Sequence, residues 1–293
     1  MNFVEQPTTG GSDLHLHSHN SDGSLSPREL LQHAEQANLS VISLTDHDTV
    51  AGLDKLMKLA RDSTVEVVPG IELSCQIEQG RYHILGYFID WEHPPFQKRL
   101  RYFEEQRKKR VRKMVEVIQE HLHSDLSYED VSRHCHNSLI GKPHVAKAMA
   151  EADIVDNRQQ AFDEYLAKGE LLDQVPKERM GVREAIRAIE EVGGVPILAH
   201  PVHYDESVSL QWFSELGVRG VEVYYSDQTD SQQREYFSQA ADLGLLVTGG
   251  SDFHGEAKPE VSIGDIRLPD ECFDKLIEAA RRAGARHDFL SNL

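Results

Sequence analysis

Short apolar runs bounded by turn residues alternate with longer amphipathic segments along most of this sequence. That rhythm restricts the chain to layers of helix and buried strand. Val41–Leu44, Val65–Leu73, His83–Ile89, Val195–Ala199, Val218–Tyr224 and Leu245–Thr248 read as strands. Between them, Pro27–Ala37 opens with a helix-starting proline, Thr49–Ala60 follows an expected cap at Asp48, and Val182–Val192 stops at Gly193-Gly194. The pattern is β/α alternation with buried parallel strands.

The alternation lapses between about Pro94 and Met180, where the chain turns helical and charged. We expect core segments at 12–95 and 181–293 around an inserted helical domain at 96–180. A chain of 293 residues with 39% hydrophobic content is long enough for such a core and insert. The insert's first helix carries nine Lys or Arg residues from Lys98 to Lys113. Two readings stay open for them: a solvated helix face, or an electrostatic guide for phosphate groups.

The net charge of −18 argues against a general nucleic-acid-binding surface, so a nucleotide substrate would have to be drawn by a local site. Cys75, Cys135 and Cys272 form no CxxC pair and suggest neither a disulfide framework nor a thiolate zinc site. The start shows no signal-peptide pattern and no stretch is long and apolar enough for a membrane span, so a cytoplasmic protein without a membrane partner is expected. No protein partner is evident.

The strongest local motif is Asp13-Leu14-His15-Leu16-His17. On a strand, alternation turns His15 and His17 to one face, where both imidazoles can reach one ion. Asp22 follows in an NSDGS turn, and VISL opens directly into Thr45-Asp46-His47-Asp48. The same grammar recurs at Glu72 in VVPGIELS, His200 in VPILAHP, and Asp252 and His254 in LLVTGGSDFHG, while His83 heads HILGYFI. Loops beyond the C-termini of parallel strands share one rim, so these residues can converge.

Each has an ordinary alternative: Asp22 as a turn former, Asp48 as a cap, His83 as a hydrogen-bonded core histidine. His121-x-His123 and His134-x-His136 have the same spacing as the first motif but lie in helical sequence, where positions i and i+2 diverge. They are assigned surface or structural roles, and His19 remains open as a supporting residue. A mixed N/O donor set without thiolates suits Mn²⁺, Zn²⁺ or Fe²⁺, Mn²⁺ first among them. The candidates are too many for one tetrahedral ion, so two or three divalent ions are expected, with Glu72 the best bridge. Phosphate-ester hydrolysis is the chemistry that such a cluster favours.

DLHLHSHNSDG, LTDHDT, PGIELS, HILGY, ILAHP and GGSDFHG, in this order, closely resemble the PHP (polymerase and histidinol phosphatase) superfamily. The resemblance covers Ser12 to about Asp90 and Gly181 to about Gly264, and implies an α/β fold: a distorted (β/α)7 barrel with an inserted helical cap domain. It implies that His15, His17, Glu72 and Asp252 hold one ion, Glu72, His83 and His200 a second, and Asp22, His47 and His254 a third. Asp22, His47, Glu72, Asp252 and His254 are then the candidate catalytic residues.

Within the insert, IGKPHVA at 140–146 followed by YLAKGELLDQVPK resembles the subgroup of 3′,5′-nucleoside bisphosphate phosphatases and 5′-3′ exoribonucleases. This implies a metal-activated hydroxide acting on pAp-type nucleotides and short 5′-phosphorylated RNA, with Lys142, His144 and His203 as candidate substrate-binding residues. Lys142 and His203 stand where relatives carry arginine, and neither offers the bidentate guanidinium fork. His144 is open between a phosphate donor and a structural histidine. Alternative readings are a phosphatase of another small phosphate monoester, histidinol-phosphate-like, and a non-catalytic metal-binding module.

Overall fold

The computed structural model describes residues 3–78, 80–135, 139–166, 172, 175, 178–204 and 209–290. Two compact units emerge, Met1–Gln97 with Met180–Leu293, and Lys98–Arg179.

The first unit is built on a seven-stranded sheet in chain order: β1 (Ser12–Leu16), β2 (Val41–Leu44), β3 (Glu66–Ile77), β4 (Gly80–Tyr87), β5 (Val195–Leu198), β6 (Gly220–Tyr225) and β7 (Leu246–Gly250). Pairing is parallel from β1 to β3 and from β5 to β7, but β4 runs antiparallel to both neighbours. This corrects the expectation of an all-parallel sheet. Only two residues separate Ile77 from Gly80, and a parallel return needs a crossover of about a dozen residues or more. The reversal places His83, near the start of β4, at the rim formed by the C-terminal ends of the parallel strands. There it pairs with Ser74, and its carbonyl accepts from the Ala199 N–H at 3.2 Å.

β7 continues toward β1 and nearly closes the sheet into a barrel. The Asp252 N–H donates to the His15 carbonyl at 2.9 Å, and the His17 N–H to the Phe253 carbonyl at 3.0 Å. Gly250 permits the approach, because a Cβ there would lie 2.4 Å from both the backbone N and the Cβ of His15. Gly250→Ala is therefore expected to destabilise the fold by about 1–3 kcal/mol through forced separation of β1 and β7, read from the urea midpoint.

Helices flank the strands. Pro27–Gln36 starts with a Ser26/Glu29 capping box. Leu53–Ala60 begins later than the sequence suggested, and Asp48 is not its cap: its Oδ1 accepts from the Ser74 N–H at 2.7 Å and ties the loop after β2 to β3. Val182–Glu190 buries Ala185, Ile186 and Ile189, and Asp270–Ala283 buries Cys272, Phe273, Leu276 and Ile277. Leu210–Leu216 and Asp230–Leu243 complete the set.

The second unit holds most of the long helix Pro94–Leu122 with Tyr128–Ser132, Lys142–Glu151 and a π-helical turn at Ala161–Leu166. It has its own core, in which Val111, Met114, Val115 and Ile118 pack with Val131, Val145 and Met149. Charges on the basic run find local partners. Lys108 pairs with Glu104 and Glu105, Lys113 pairs with Glu116, and the Arg112 guanidinium lies 4.2 Å from the centre of the Tyr128 ring. His134 pairs with Glu151 at 3.1 Å, and neither it, His121 nor His123 belongs to a metal-capable group among the described residues. His136 and most of YLAKGELLDQVPK lie outside the described residues. Cys75 and Cys272 are buried free thiols, and Cys135 is a partly buried one. Among the described residues no helix is long and apolar enough to cross a membrane.

Candidate metal centre

Local strand geometry explains how this centre is assembled. His15 and His17 project from β1 and the residue after it, Glu72 comes from β3 just past its pairing with β2, and His83 comes from the reversed β4. The loops after β5 and β7 bring His200, Asp252 and His254. Glu72 is fully buried, and its two oxygens face different partners. Oε2 lies 3.1 Å from His15 Nε2, 3.2 Å from His17 Nε2 and 3.1 Å from His47 Nδ1. Oε1 lies 2.8 Å from His83 Nδ1 and 3.0 Å from His200 Nε2.

The donors fall into three metal-capable groups: His15, His17, Glu72 and Asp252; His17, Asp22, His47 and His254; and His47, Glu72 and His83. The first coincides with the set that the family resemblance implied. The second adds His17. In the third, His47 stands where the resemblance put His200, although His200 Nε2 also approaches His83 Nδ1 at 3.2 Å. Lys142 and His144 belong to the helical unit. There Lys142 Nζ donates to the Leu166 carbonyl, and His144 Nδ1 accepts from the Gly141 N–H at 3.1 Å and closes the helix start. His203 sits beside the centre, 3.0 Å from the Tyr225 hydroxyl and 3.2 Å from Asp227. Burial, with His200 nearby, lowers its pKa, which opposes a cationic role. His19 joins none of the groups.

These donors fit divalent cations. Donors about 2.1 Å from a shared ion lie about 3–3.5 Å apart, close to the 2.8–3.2 Å seen around Glu72. His17 Nε2 and His47 Nδ1 are buried 3.1–3.2 Å from Glu72 Oε2 without hydrogen-bond geometry, and His17 Nδ1 is buried with no hydrogen-bond partner, an expensive arrangement unless a cation engages the lone pairs. Two tautomers are set by neighbours. His254 Nδ1–H donates to the Asp252 carbonyl at 2.9 Å, leaving Nε2 bare 3.3 Å from Asp22 Oδ1. His15 Nδ1–H donates to Glu222 Oε1 at 2.9 Å, leaving Nε2 to the centre.

Several supporting residues had not been singled out from the sequence. Tyr225 donates its hydroxyl to Asp252 Oδ2 at 2.8 Å, and Lys258 Nζ lies 3.5 Å from the same oxygen. Oδ1 is thus left toward His15 and His17, at 3.4 and 3.2 Å. Asp46 accepts from the Ser18 N–H and hydroxyl, both at 2.7 Å, and from the Ser21 hydroxyl at 2.6 Å, shaping the loop that carries Asp22. Asp13 accepts from the N–H groups of Ser251 and Gly264, and burial pushes its pKa up to about 6. Glu222 in GVEVYY did carry a signal, a carboxylate inside a buried apolar strand. Tyr225 and Lys258 carried none.

Electrostatics set the order of protonation. Burial opposes charge on His15 and His17. Glu222 and Glu72 outweigh it at His15, holding its pKa well above the usual range, and Asp252 and Glu72 outweigh it at His17, raising it to about 10. Burial pulls His47 down to about 4. Burial also opposes ionisation of Glu72 and Asp252, but the imidazoles around them hold both pKa values well below the usual carboxylate range. In metal-free protein, the stabilisation due to the raised His17 pKa is complete below about pH 6.5 and is lost as pH rises through about 10. A cation must displace these protons. Apparent metal affinity is therefore expected to rise by at least about tenfold per pH unit from neutrality upward, with proton release, as measured by calorimetry in buffers of different ionisation enthalpy.

Comparisons with known proteins agree with this chemistry. The sequence matches the PHP domain family over residues 13–172. It is 31% identical to a 5′-3′ exoribonuclease of Haemophilus influenzae, over 83% of this chain and 89% of that protein. It is 28% identical to a 3′,5′-nucleoside bisphosphate phosphatase of Chromobacterium violaceum, over 89% and 93%. With a phosphoribosyl 1,2-cyclic phosphate 1,2-diphosphodiesterase of Eggerthella lenta it shares 30% identity, over 88% and 98%. A crystal structure from Bifidobacterium adolescentis, assigned as a metal-dependent phosphoesterase, superposes with a TM-score of 0.79 at 27% identity, covering 94% of this chain and 98% of the other. A nearly closed barrel whose rim gathers imidazoles around one buried carboxylate, with these relatives, makes the chain a member of the PHP domain family and a metal-dependent phosphoesterase.

Proposed function

We propose that this enzyme removes the 3′-phosphate from nucleoside 3′,5′-bisphosphates and shortens 5′-phosphorylated oligoribonucleotides from the 5′ end, with Mn²⁺ first among Mn²⁺, Zn²⁺ and Fe²⁺. The observation that carries the hydrolytic reading is the division of Glu72, each oxygen serving a different set of imidazoles. The substrate choice draws on the exoribonuclease and bisphosphate phosphatase among the relatives.

His15, His17, Glu72 and Asp252 would hold one ion, Glu72 and His83 with His47 or His200 a second, and Asp22, His47 and His254, joined by His17, a third. Bound there, the cations supply an activated water at neutral pH and neutralise charge on phosphoryl oxygens. The protein's own contribution is placement. Tyr225 turns Asp252 so that Oδ1 faces inward. Burial opposes ionisation of Asp22, and the imidazole cluster around it, His17 included, holds its pKa below the usual carboxylate range. His47, with its lowered pKa, is neutral near pH 7 and keeps a lone pair to offer.

Three free cysteines accord with a reducing cytosol as the enzyme's compartment.

The test is release of phosphate and adenosine monophosphate from adenosine 3′,5′-bisphosphate by metal-stripped protein, with and without Mn²⁺. A short 5′-phosphorylated RNA and a phosphoribosyl 1,2-cyclic phosphate run beside it. Mn²⁺-dependent turnover of the bisphosphate, with RNA shortening, is expected. The relative from Eggerthella lenta gives the second reading its footing, and turnover confined to the cyclic phosphate would replace the first reading with it. Metal uptake with no hydrolysis of any ester would leave a binding module.

A further inference from the structure

Behind the metal centre, on β6, lies a carboxylate that belongs to none of the three metal-capable groups and is fully buried: Glu222, with no exposed surface. A polar group in such a place is costly unless its oxygens are hydrogen-bonded. Glu222 meets that condition with two partners from separate segments. Oε1 accepts from His15 Nδ1–H on β1 at 2.9 Å, and Oε2 accepts from the His200 backbone N–H after β5 at 2.8 Å.

Both partners carry a ring that reaches Glu72 from a different side. His15 Nε2 lies 3.1 Å from Glu72 Oε2, and His200 Nε2 lies 3.0 Å from Glu72 Oε1. The His200 backbone has φ +24° and ψ 65°, a conformation that L-residues seldom hold without outside restraint. Its N–H bond to Glu222 supplies such a restraint. The Nδ1 bond at His15 fixes which ring nitrogen carries the proton, so that Nε2 presents its lone pair to the centre.

We infer that Glu222 is a positioning residue that fixes the His15 tautomer and the strained His200 backbone together, aligning the ligands on both sides of Glu72. One residue outside the donor set thereby links two ion positions. This rests on the metal-centre reading proposed above, and it makes a demand that the reading alone does not: loss of Glu222 must weaken two positions at once. An isosteric glutamine cannot serve both donors. Its amide oxygen can accept from one of them, and its NH₂ then faces the other N–H.

The experiment is calorimetric titration of metal-stripped wild type, Glu222→Gln and Glu222→Ala with Mn²⁺, alongside thermal melts of the stripped proteins. Wild type should take up at least two ions. In Glu222→Gln two of those affinities should fall about 10–100-fold, with a larger fall in Glu222→Ala. A merely structural role would lower the stripped protein's Tm and leave the metal isotherm of folded variant unchanged, which would overturn the inference while the metal centre stands. Weakening of one ion alone would overturn it too. Uptake of fewer than two ions by wild type would overturn the inference and the metal-centre reading together. Ring ¹⁵N NMR of zinc-loaded wild type tests the tautomer without any substitution. His15 should show a protonated Nδ1, and a protonated Nε2 would reject the inference.

Discussion

Glu72→Gln is expected to lower turnover by at least about a thousandfold while the protein stays folded. The substitution keeps the shape but removes the one negative charge shared by His15, His17, His47, His83 and His200, all within 3.2 Å of a Glu72 oxygen. A neutral amide offers a single acceptor oxygen, so one side of the site faces an NH₂ group where it had a carboxylate oxygen. Cations at such a site contribute several kcal/mol of charge stabilisation in the transition state, and about 1.4 kcal/mol corresponds to tenfold in rate. Turnover of adenosine 3′,5′-bisphosphate at saturating Mn²⁺, with metal content measured on the same sample, checks this. Full metal content and near-normal turnover would mean that Glu72 is a buried structural carboxylate and that the centre lies elsewhere.

Asp252→Asn should have the next largest effect, a loss of about a hundredfold or more in turnover with one ion released. Asp252 holds two relations at once: Oδ1 toward His15 and His17, and Oδ2 accepting from Tyr225 and lying beside Lys258. Asparagine can satisfy the tyrosine with its oxygen only by pointing NH₂ at the ring nitrogens, where a lone pair is needed. Tyr225→Phe leaves the charge and removes only the aim, so it should be milder, about 10–100-fold. Equal losses in the two variants would show that Tyr225 acts on the reaction in its own right. Unchanged turnover in Asp252→Asn would remove it from the ligand set.

Much of this centre was legible because metal donors at the ends of buried strands interrupt apolar runs. His15 and His17 declare a shared face through period-two alternation, and His47, His200 and Asp252 follow directly on strands whose ends must meet at one rim. The helical unit was legible from the loss of that alternation. Sheet direction at β4 is harder to read, since a strand's apolar pattern is the same whichever way it runs; the two-residue link after Ile77 is the local feature that carries it.

Most of the strands and helices, the chemistry of the donor set and the resemblance to the PHP superfamily follow from residue type and short-range periodicity. How the donors group is fixed by the folded chain: His17 and His47 each approach two groups, and His200 approaches Glu72 and His83, which depends on distances across strands far apart in sequence. The supporting layer was decided there as well. Tyr225 and Glu222 gain their roles from hydrogen bonds that span 27 and 207 positions along the chain, and no local pattern encodes a partner at such a distance. Asp48 shows the same rule on a smaller scale, since a residue suited to cap the next helix instead bonds the backbone of Ser74, which folding brings beside it.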